Sequence, residues 1–150
     1  MSTTRVLAVN ADEAWDLVTD SRNHARWIPL TRVEASGPAR VGDRVRAVSG
    51  PGATRGWPGL VDAMIVTRAD PPGPTRVALF VKQGPVLLGE ARITVMAAGP
   101  HSSRVTWDED VYLAHVPPRV GRTLVGPILR AMVSRVLTLV AREAAQRNDA

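Results

Sequence analysis

The chain has 150 residues, enough to bury a hydrophobic core without metals or disulfides, and we expect a single domain spanning residues 1–150. It contains no cysteine, which excludes disulfides, thiolate metal sites and a cysteine nucleophile. Nineteen basic and 14 acidic residues give a net charge of +5 at neutral pH. Lys82 is the only lysine, so the other basic residues are arginines.

The basic residues form no cluster that would indicate a particular partner. The arginines are spread from Arg5 to Arg147, and Phe80 and Tyr112 are the only residues of their types. Nucleic-acid interfaces need a basic patch, and single-strand binders also need stacking aromatic residues, so we expect no nucleic-acid partner. The first residues lack the apolar run of a signal peptide, and no window approaches the roughly 20 apolar residues of a membrane span. We therefore expect a cytoplasmic protein without stable membrane insertion, whose oligomeric state the sequence leaves open.

The chain begins with a predicted strand over residues 5–9 and a helix after it. Asn10 and Glu13 have the spacing of a capping box, in which each side chain bonds to the other residue's backbone N–H. Trp15 lies on the apolar face of the helix, and we expect it to pack under a sheet. A further short helical turn is predicted over residues 23–28.

From residue 31 the hydrophobic period changes towards two, which is typical of strands. Turn signals rich in glycine and proline separate the segments, the firmest of them at residues 70–74. Alternation in the last strand places Glu109 on the same face as Trp107 and Val111. The predicted strands are residues 32–35, 44–48, 60–69, 76–82, 85–97 and 104–113.

Residues 120–147 form the longest periodic segment. At about 100° per residue, one arc of this predicted helix is apolar and the opposite arc is polar and basic. Pro127 falls inside the segment, so we expect a kink or a restart there. The apolar arc holds Val125, Leu129, Met132, Val133, Val136 and Val140. Such a helix must cover an apolar surface, and the sequence therefore predicts an α+β fold in which a curved antiparallel sheet grips a long C-terminal helix.

The order of these elements, together with several short motifs, resembles the START-like superfamily, also called SRPBCC or polyketide cyclase/dehydratase-type proteins, which have the helix-grip fold. The motifs are VNADEAWDLVTD at residues 9–20, RWIP at 26–29, RVGDRV at 40–45 and SSRVTWDED at 102–110, followed by the closing helix. The resemblance spans nearly the whole chain. It implies an apolar cavity between sheet and helix, used in the family for lipids, sterols, polyketides and plant hormones. It does not choose between carriers, receptors and enzymes, because a fold does not determine function.

Two residues are candidates for acid–base chemistry. Glu109 is predicted to face inwards, where a carboxyl group in an apolar cavity would have a raised pKa and could transfer protons or bind a ligand hydroxyl. The alternatives are a bulged strand or an ion pair between Glu109 and an arginine at the rim. His115 follows the last strand near the expected cavity mouth, where it is either a proton shuttle or a solvated loop residue. Asp62 stays undetermined, because both faces of its strand are apolar.

The sequence indicates no metal and no cofactor. His24 and His101 lie among polar residues and are interpreted as solvated, and the histidines have no HxxxH or HxH spacing. No GxSxG nucleophile motif is present. The phosphate-binding patterns GxGxxG and GxxxxGK[ST] are also missing, so nucleotide cofactors are not expected.

The tryptophans divide into two groups. Trp15 and Trp107 have the setting of core residues, whereas Trp27 and Trp57 lie in predicted turns or loops that could border a cavity entrance or plug the open end of the sheet. Met132 lies in the middle of the apolar arc, where it either contacts a ligand or fills the core. The predicted ligand-binding residues are Trp27, Trp57, Trp107, Glu109 and Met132.

These observations favour a protein that binds a small hydrophobic or amphipathic molecule, such as a lipid or polyketide, mainly by burying apolar area. The alternative is a polyketide cyclase/dehydratase-type enzyme that uses Glu109 and His115 as acid and base. In a third interpretation, Arg130, Arg135 and Arg142 on the polar back of the long helix dock on an acidic partner or an anionic membrane, the competing view being a solvated surface.

Overall fold

The computed structural model describes residues 1–149 and shows a seven-stranded antiparallel sheet with three α-helices. The strand order is β1-β7-β6-β5-β4-β3-β2. The strands are β1 (Ser2–Leu7), β2 (Thr31–Glu34), β3 (Arg44–Ser49), β4 (Leu60–Ala69), β5 (Thr75–Lys82), β6 (Leu87–Gly99) and β7 (Ser102–Leu113). The helices are α1 (Ala11–Thr19), α2 (His24–Trp27) and α3 (Pro118–Asp149). Single 3₁₀ turns lie at Ser21–Asn23 and Ala53–Arg55.

The predicted α+β helix-grip architecture is confirmed. Among the predicted strands, β1 shows the largest difference in position. The prediction placed this strand at residues 5–9, whereas it begins at Ser2 and pairs with β7. The hydroxyl groups of Thr4 and Thr106 lie 3.0 Å apart across this pair. Hydropathy missed the first residues because they are polar, although β-branched threonines favour strands at an exposed sheet edge.

Helix α1 begins at the predicted N-cap. The Oδ1 atom of Asn10 accepts a hydrogen bond from the backbone N–H of Glu13 at 2.9 Å. The Glu13 carboxylate bonds the side-chain amide of Asn10 at 3.2 Å, whereas the expected reciprocal bond was to its backbone N–H. Trp15 is buried, as predicted, and the helix that carries it packs on β6 and β7 of the sheet. The Arg76 guanidinium lies 3.9 Å from the centre of the Trp15 ring.

The C-terminal half of α3 supplies the core face of the helix. Val133, Val136 and Val140 are buried, as the sequence predicted, and Leu137 and Ala144 join them. The helix packs against β1 and β7 and contacts α2. It is one continuous helix through Pro127, so of the two expected alternatives, a kink or a restart, the restart is absent. Pro127 and Thr123 are exposed, so water can reach the Thr123 carbonyl that lacks an amide partner.

The N-terminal half of α3 is different, since Gly121 is its only buried residue before Val133 among the described residues. Val120, Leu124 and Ile128 are 49%, 56% and 71% exposed.

The expectation that no stretch approaches a membrane span is wrong by length and composition, because α3 is long and apolar enough to cross a membrane. Of its apolar 18-residue stretch, 22% is buried. Core helices of water-soluble proteins also meet these criteria.

Candidate functional site

A cavity lies between the concave face of the sheet and α3, with a volume of ≈ 60 Å³. Every strand except β1 contributes to its wall, and α3 contributes Met132. The walls are mainly apolar, with Ile28, Val33, Val45, Ala47, Met64, Phe80, Ala91, Ile93, Trp107 and Met132. The polar lining residues are Ser21, His24, Asp62, Lys82 and Glu109. The fold therefore collects one group of polar side chains inside an otherwise hydrophobic enclosure.

Glu109 faces this cavity from β7 and is 6% exposed. Its Oε1 atom accepts a hydrogen bond from the indole N–H of Trp107 at 2.8 Å, while Oε2 has no protein partner. The β6–β7 register is regular here, with Ala91 opposite Glu109, so the bulge considered from the sequence is absent. No arginine pairs with Glu109 within residues 1–149.

The surroundings of Glu109 favour its protonated form. Burial raises the pKa of its carboxyl group above the ordinary value of 4.5. The positive charge of Lys82 and the Trp107 hydrogen bond act to lower this pKa, and the negative charge of Asp62 raises it. A carboxyl group with these properties can donate a hydrogen bond as well as accept one.

Lys82 and Asp62 form an ion pair in the cavity wall, on neighbouring strands β5 and β4. The Lys82 Nζ atom lies 2.5 Å from Asp62 Oδ2, and the lysine side chain is 6% exposed against 23% for the aspartate. The second carboxylate oxygen, Asp62 Oδ1, is buried without a partner. Sequence reasoning left Asp62 undetermined and overlooked Lys82, although two signals were available. Lys82 is the only lysine, and it has the same strand parity as buried Ala78 and Phe80.

The interpretation of His24 as a solvated residue is wrong, because this side chain is 8% exposed and lines the cavity. Its ring centroid lies 5.7 Å from that of Trp27 and 5.2 Å from that of Trp107. The Nε2 atom lies 3.0 Å from the Val18 carbonyl oxygen, which can only accept, so Nε2 carries the proton. Burial lowers the pKa of His24 and favours the neutral ring. The prediction was wrong because it followed the polar sequence neighbours of His24, whereas α2 turns the His24 side chain into the cavity wall.

The structure brings together three of the residues that the sequence singled out. Trp107, Glu109 and Met132 line the same cavity. Trp27 is buried beside it, where its indole N–H donates to Glu143 Oε2 at 3.0 Å and ties α2 to α3. This contact is structural, and Trp27 does not line the cavity.

The other two candidates lie apart from the cavity lining. Trp57 is 59% exposed and packs over Gly52, where an added Cβ would come 2.5 Å from its ring. His115 is exposed in the turn between β7 and α3 and has a left-handed backbone with φ of 65°. The geometry therefore gives neither residue a contact with a molecule in the cavity.

Within residues 1–149, no group of three or more histidine, cysteine, aspartate or glutamate side chains is placed to hold a metal ion. His24, Asp62 and Glu109 share the cavity without forming such a group.

A curled antiparallel sheet, a long helix across it and an enclosed cavity between them define a START-like protein with the helix-grip fold. Residues 1–146 match the model of the family described as polyketide cyclase / dehydrase and lipid transport, and the chain belongs to that family. No curated protein matches the chain in sequence.

Solved structures of similar fold include enzymes and proteins of other description. The ZhuI aromatase/cyclase from Streptomyces sp. R1128 is 17% identical with a TM-score of 0.68, covering 98% of this chain and 93% of that one. A START superfamily protein from Mycobacterium smegmatis is 19% identical with a TM-score of 0.62, covering 95% and 97%. Norcoclaurine synthase from Thalictrum flavum is 15% identical with a TM-score of 0.62, covering 99% and 94%. At these identities the similarity shows the fold alone.

Proposed function

We propose that the cavity binds a small amphipathic molecule, with an apolar body against the hydrophobic walls and a polar group at the cluster of Asp62, Lys82 and Glu109. The observation that carries this proposal is the set of buried, unpartnered side-chain oxygens at one apolar cavity: Ser21 Oγ, Asp62 Oδ1 and Glu109 Oε2. Each unpaired buried polar group costs about 1–3 kcal/mol. A ligand hydroxyl that bonds to one of them recovers part of that cost.

The apolar walls supply the remaining affinity. Burial of hydrocarbon contributes about 25 cal/mol per Å², and it acts on any guest of suitable size. The polar cluster adds selectivity, because a guest without a polar group leaves the same oxygens unpaired. Trp107 and Met132 contact the apolar body in this arrangement, and Glu109 contacts the polar group.

Phenol and benzene test this proposal as probes that differ by one hydroxyl group. The four methionines give an internal control when their methyl groups are labelled with ¹³C for NMR, because Met64 and Met132 line the cavity whereas Met96 is 42% exposed on the sheet. Phenol is expected to shift the Met64 and Met132 signals and leave Met96 unchanged. It should bind about tenfold more tightly than benzene, which corresponds to about 1.4 kcal/mol for the added hydrogen bond.

Two variants make the test specific to the cavity. Ala47→Leu fills space at the lining, and it should abolish the phenol-induced shifts. Ala131→Leu makes the same chemical change at an exposed position of α3 and should leave them intact. Equal shifts at Met96, or equal affinity for phenol and benzene, would contradict the proposal.

Acid–base catalysis is a second candidate, favoured by the raised pKa of Glu109 beside an ion pair. In an enolisation, protonated Glu109 can transfer its proton to the substrate carbonyl oxygen while the unpartnered Oδ1 atom of Asp62 takes the proton from the α-carbon. The charge of Lys82 then stabilises the Glu109 carboxylate that is left. The family description includes cyclases and dehydrases, and both reactions involve enolisation. His115, the other acid–base candidate from the sequence, lies outside the cavity lining and has no part in this scheme.

Deuterium incorporation from D₂O into the methyl group of acetophenone, followed by NMR, tests the catalytic candidate. We expect exchange faster than in buffer, lost in Glu109→Gln while the phenol-induced shifts persist. Exchange at the buffer rate, or full exchange in Glu109→Gln, would remove Glu109 from any such mechanism.

A further inference from the structure

The exposed side of the N-terminal half of α3 carries an apolar strip that nothing in residues 1–149 covers. Val120, Leu124 and Ile128 recur at intervals of four residues and so lie along one face of the helix. Pro127 and Ala131 are also exposed and fall on the same face. We call these five residues the apolar strip. Ile128 is the most exposed of the three large side chains, at 71%.

The charge around the apolar strip has one sign. Arg119, Arg130, Arg135 and Arg142 are exposed, and none forms a salt bridge with another residue of the described chain 1–149. Helix α3 contains no acidic residue from Pro118 to Arg142. Arg122, which pairs with Asp110, projects from the opposite side of the helix. A partner that binds this surface must therefore be apolar where it contacts the apolar strip and negatively charged where it contacts the arginines around the strip.

We propose that this face of α3 docks on an anionic lipid bilayer, with the helix axis parallel to the membrane. An interfacial helix combines an exposed apolar face with arginines whose side chains reach the headgroups, and that is the pattern here. A second copy of the chain would bring two sets of unpaired arginines together, which opposes self-association through this face. A flat bilayer also needs no groove, and the apolar strip lies on a convex helix.

Docking in this position brings the membrane to the outer side of the helix whose Met132 lines the cavity. Met132, which lines the cavity, follows Ala131 of the apolar strip directly and lies one turn beyond Ile128. The docking surface goes beyond the proposed ligand binding and does not depend on it, because its residues differ from those at the polar end of the cavity. Glu109→Gln should accordingly bind vesicles as the wild-type protein does.

Flotation with vesicles tests the proposal. We expect binding to vesicles of phosphatidylcholine with about one third phosphatidylglycerol, weakening as salt rises, and little binding to phosphatidylcholine alone. Replacing Arg130 and Arg135 by glutamine should weaken binding about 30-fold, because each basic residue contributes about 1 kcal/mol at an anionic surface. The control variant Arg44→Gln with Arg104→Gln has the same net charge as the variant of Arg130 and Arg135, but its changes lie at exposed positions of the sheet. It should therefore bind vesicles like the wild type.

The apolar strip has its own pair of variants. Leu124→Glu with Ile128→Glu should lower vesicle binding at least about tenfold, since one inserted aliphatic side chain accounts for that factor. Val6→Glu with Val41→Glu introduces the same charges at side chains that are 58% and 66% exposed elsewhere, and it should cause a much smaller loss. All four positions are exposed, and circular dichroism with thermal melts confirms that each variant is folded.

Three results would overturn the proposal. The first is wild-type protein that stays with the soluble fraction at low salt. The second is an equal loss of binding in the matched controls, which indicates adsorption by net charge. The third is a dimer in light scattering that Leu124→Glu with Ile128→Glu converts to a monomer while vesicles fail to bind, since the apolar strip then joins two copies of the chain.

Discussion

The ion pair between Lys82 and Asp62 tests whether two charges in the cavity wall depend on each other for stability. Removing one partner of a buried ion pair costs about 3–5 kcal/mol, because the remaining charge loses its compensation. Asp62→Asn leaves the Lys82 ammonium, 6% exposed, without its carboxylate. Since the aspartate side chain is 23% exposed, although its Oδ1 atom is buried, the pair is not fully removed from water, and we expect a loss of about 3 kcal/mol at the lower end of that range.

The converse substitution is expected to cost less. Lys82→Met retains most of the apolar stem and leaves a carboxylate that water partly reaches, for a loss of about 1–2 kcal/mol. The double variant Asp62→Asn with Lys82→Met has no buried charge at this site. It should be close to Lys82→Met in stability, because neutral replacements of buried ion pairs are often tolerated. The two substitutions should therefore be coupled by about 2 kcal/mol or more.

Urea unfolding followed by tryptophan fluorescence measures this coupling in a double-mutant cycle. The single Asp62→Asn change should lower the melting temperature by roughly 6–12 °C in a domain of this size. The exposed pair Arg122–Asp110, replaced by glutamine and asparagine in the same way, is the control and should show no measurable coupling. Additive effects at Lys82 and Asp62 would refute the view that the pair is held together by a low-dielectric cavity.

Two further outcomes follow from the structure. Gly89→Ala should destabilise the protein by more than about 3 kcal/mol in urea unfolding, because Gly89 has φ of 107° and an added Cβ would collide with the Asp110 carbonyl oxygen. Gly42→Ala, with φ of 92° and no atom within 4 Å of the added Cβ, is the matched control and should cost about 1 kcal/mol, so equal losses would contradict the predicted collision. Because burial raises the pKa of Glu109 in the folded state, its stabilising contribution is complete below the ordinary value of 4.5 and is lost as pH rises through the folded pKa. Glu109→Gln cannot ionise, so its stability relative to wild type should increase from acidic to neutral pH, and a difference independent of pH would contradict a raised pKa.

The architecture was predictable because its signals are periodic and local. Residues 60–69 were predicted as a strand and form β4 with the same bounds, and the cap at Asn10 begins α1. Alternation along β7 placed Glu109 inside, and the structure agrees. These features depend on the pleat and the helical turn, which the order of residues determines. The placement of residues 1–150 in a single domain and the cytoplasmic location stay predictions.

The polar residues of the cavity other than Glu109 were harder to predict from the sequence. Lys82, Asp62 and His24 come from three segments far apart in sequence, and their meeting depends on how β4, β5 and α2 are placed in three dimensions. Strand parity limits which face each side chain occupies, but it does not tell whether that face has a charged partner. The ambiguity at Asp62 is an example, because both faces of β4 are apolar and the Lys82 contact alone identifies its environment.

The volume of the cavity limits the size of the molecules that can bind in it. An engineered protein cavity of about 150 Å³ holds a benzene molecule, and the volume here is ≈ 60 Å³. A sterol or long acyl chain therefore cannot enter without large movement of α3 or the sheet, whereas a small ring needs only local change. Met64 and Met132 can provide that change, because methionine has several rotatable bonds and adapts to irregular spaces. The two side chains that report binding by NMR are therefore also the ones that must move for a ligand to enter. Their methyl signals should shift more on phenol binding than they would if the cavity wall were rigid.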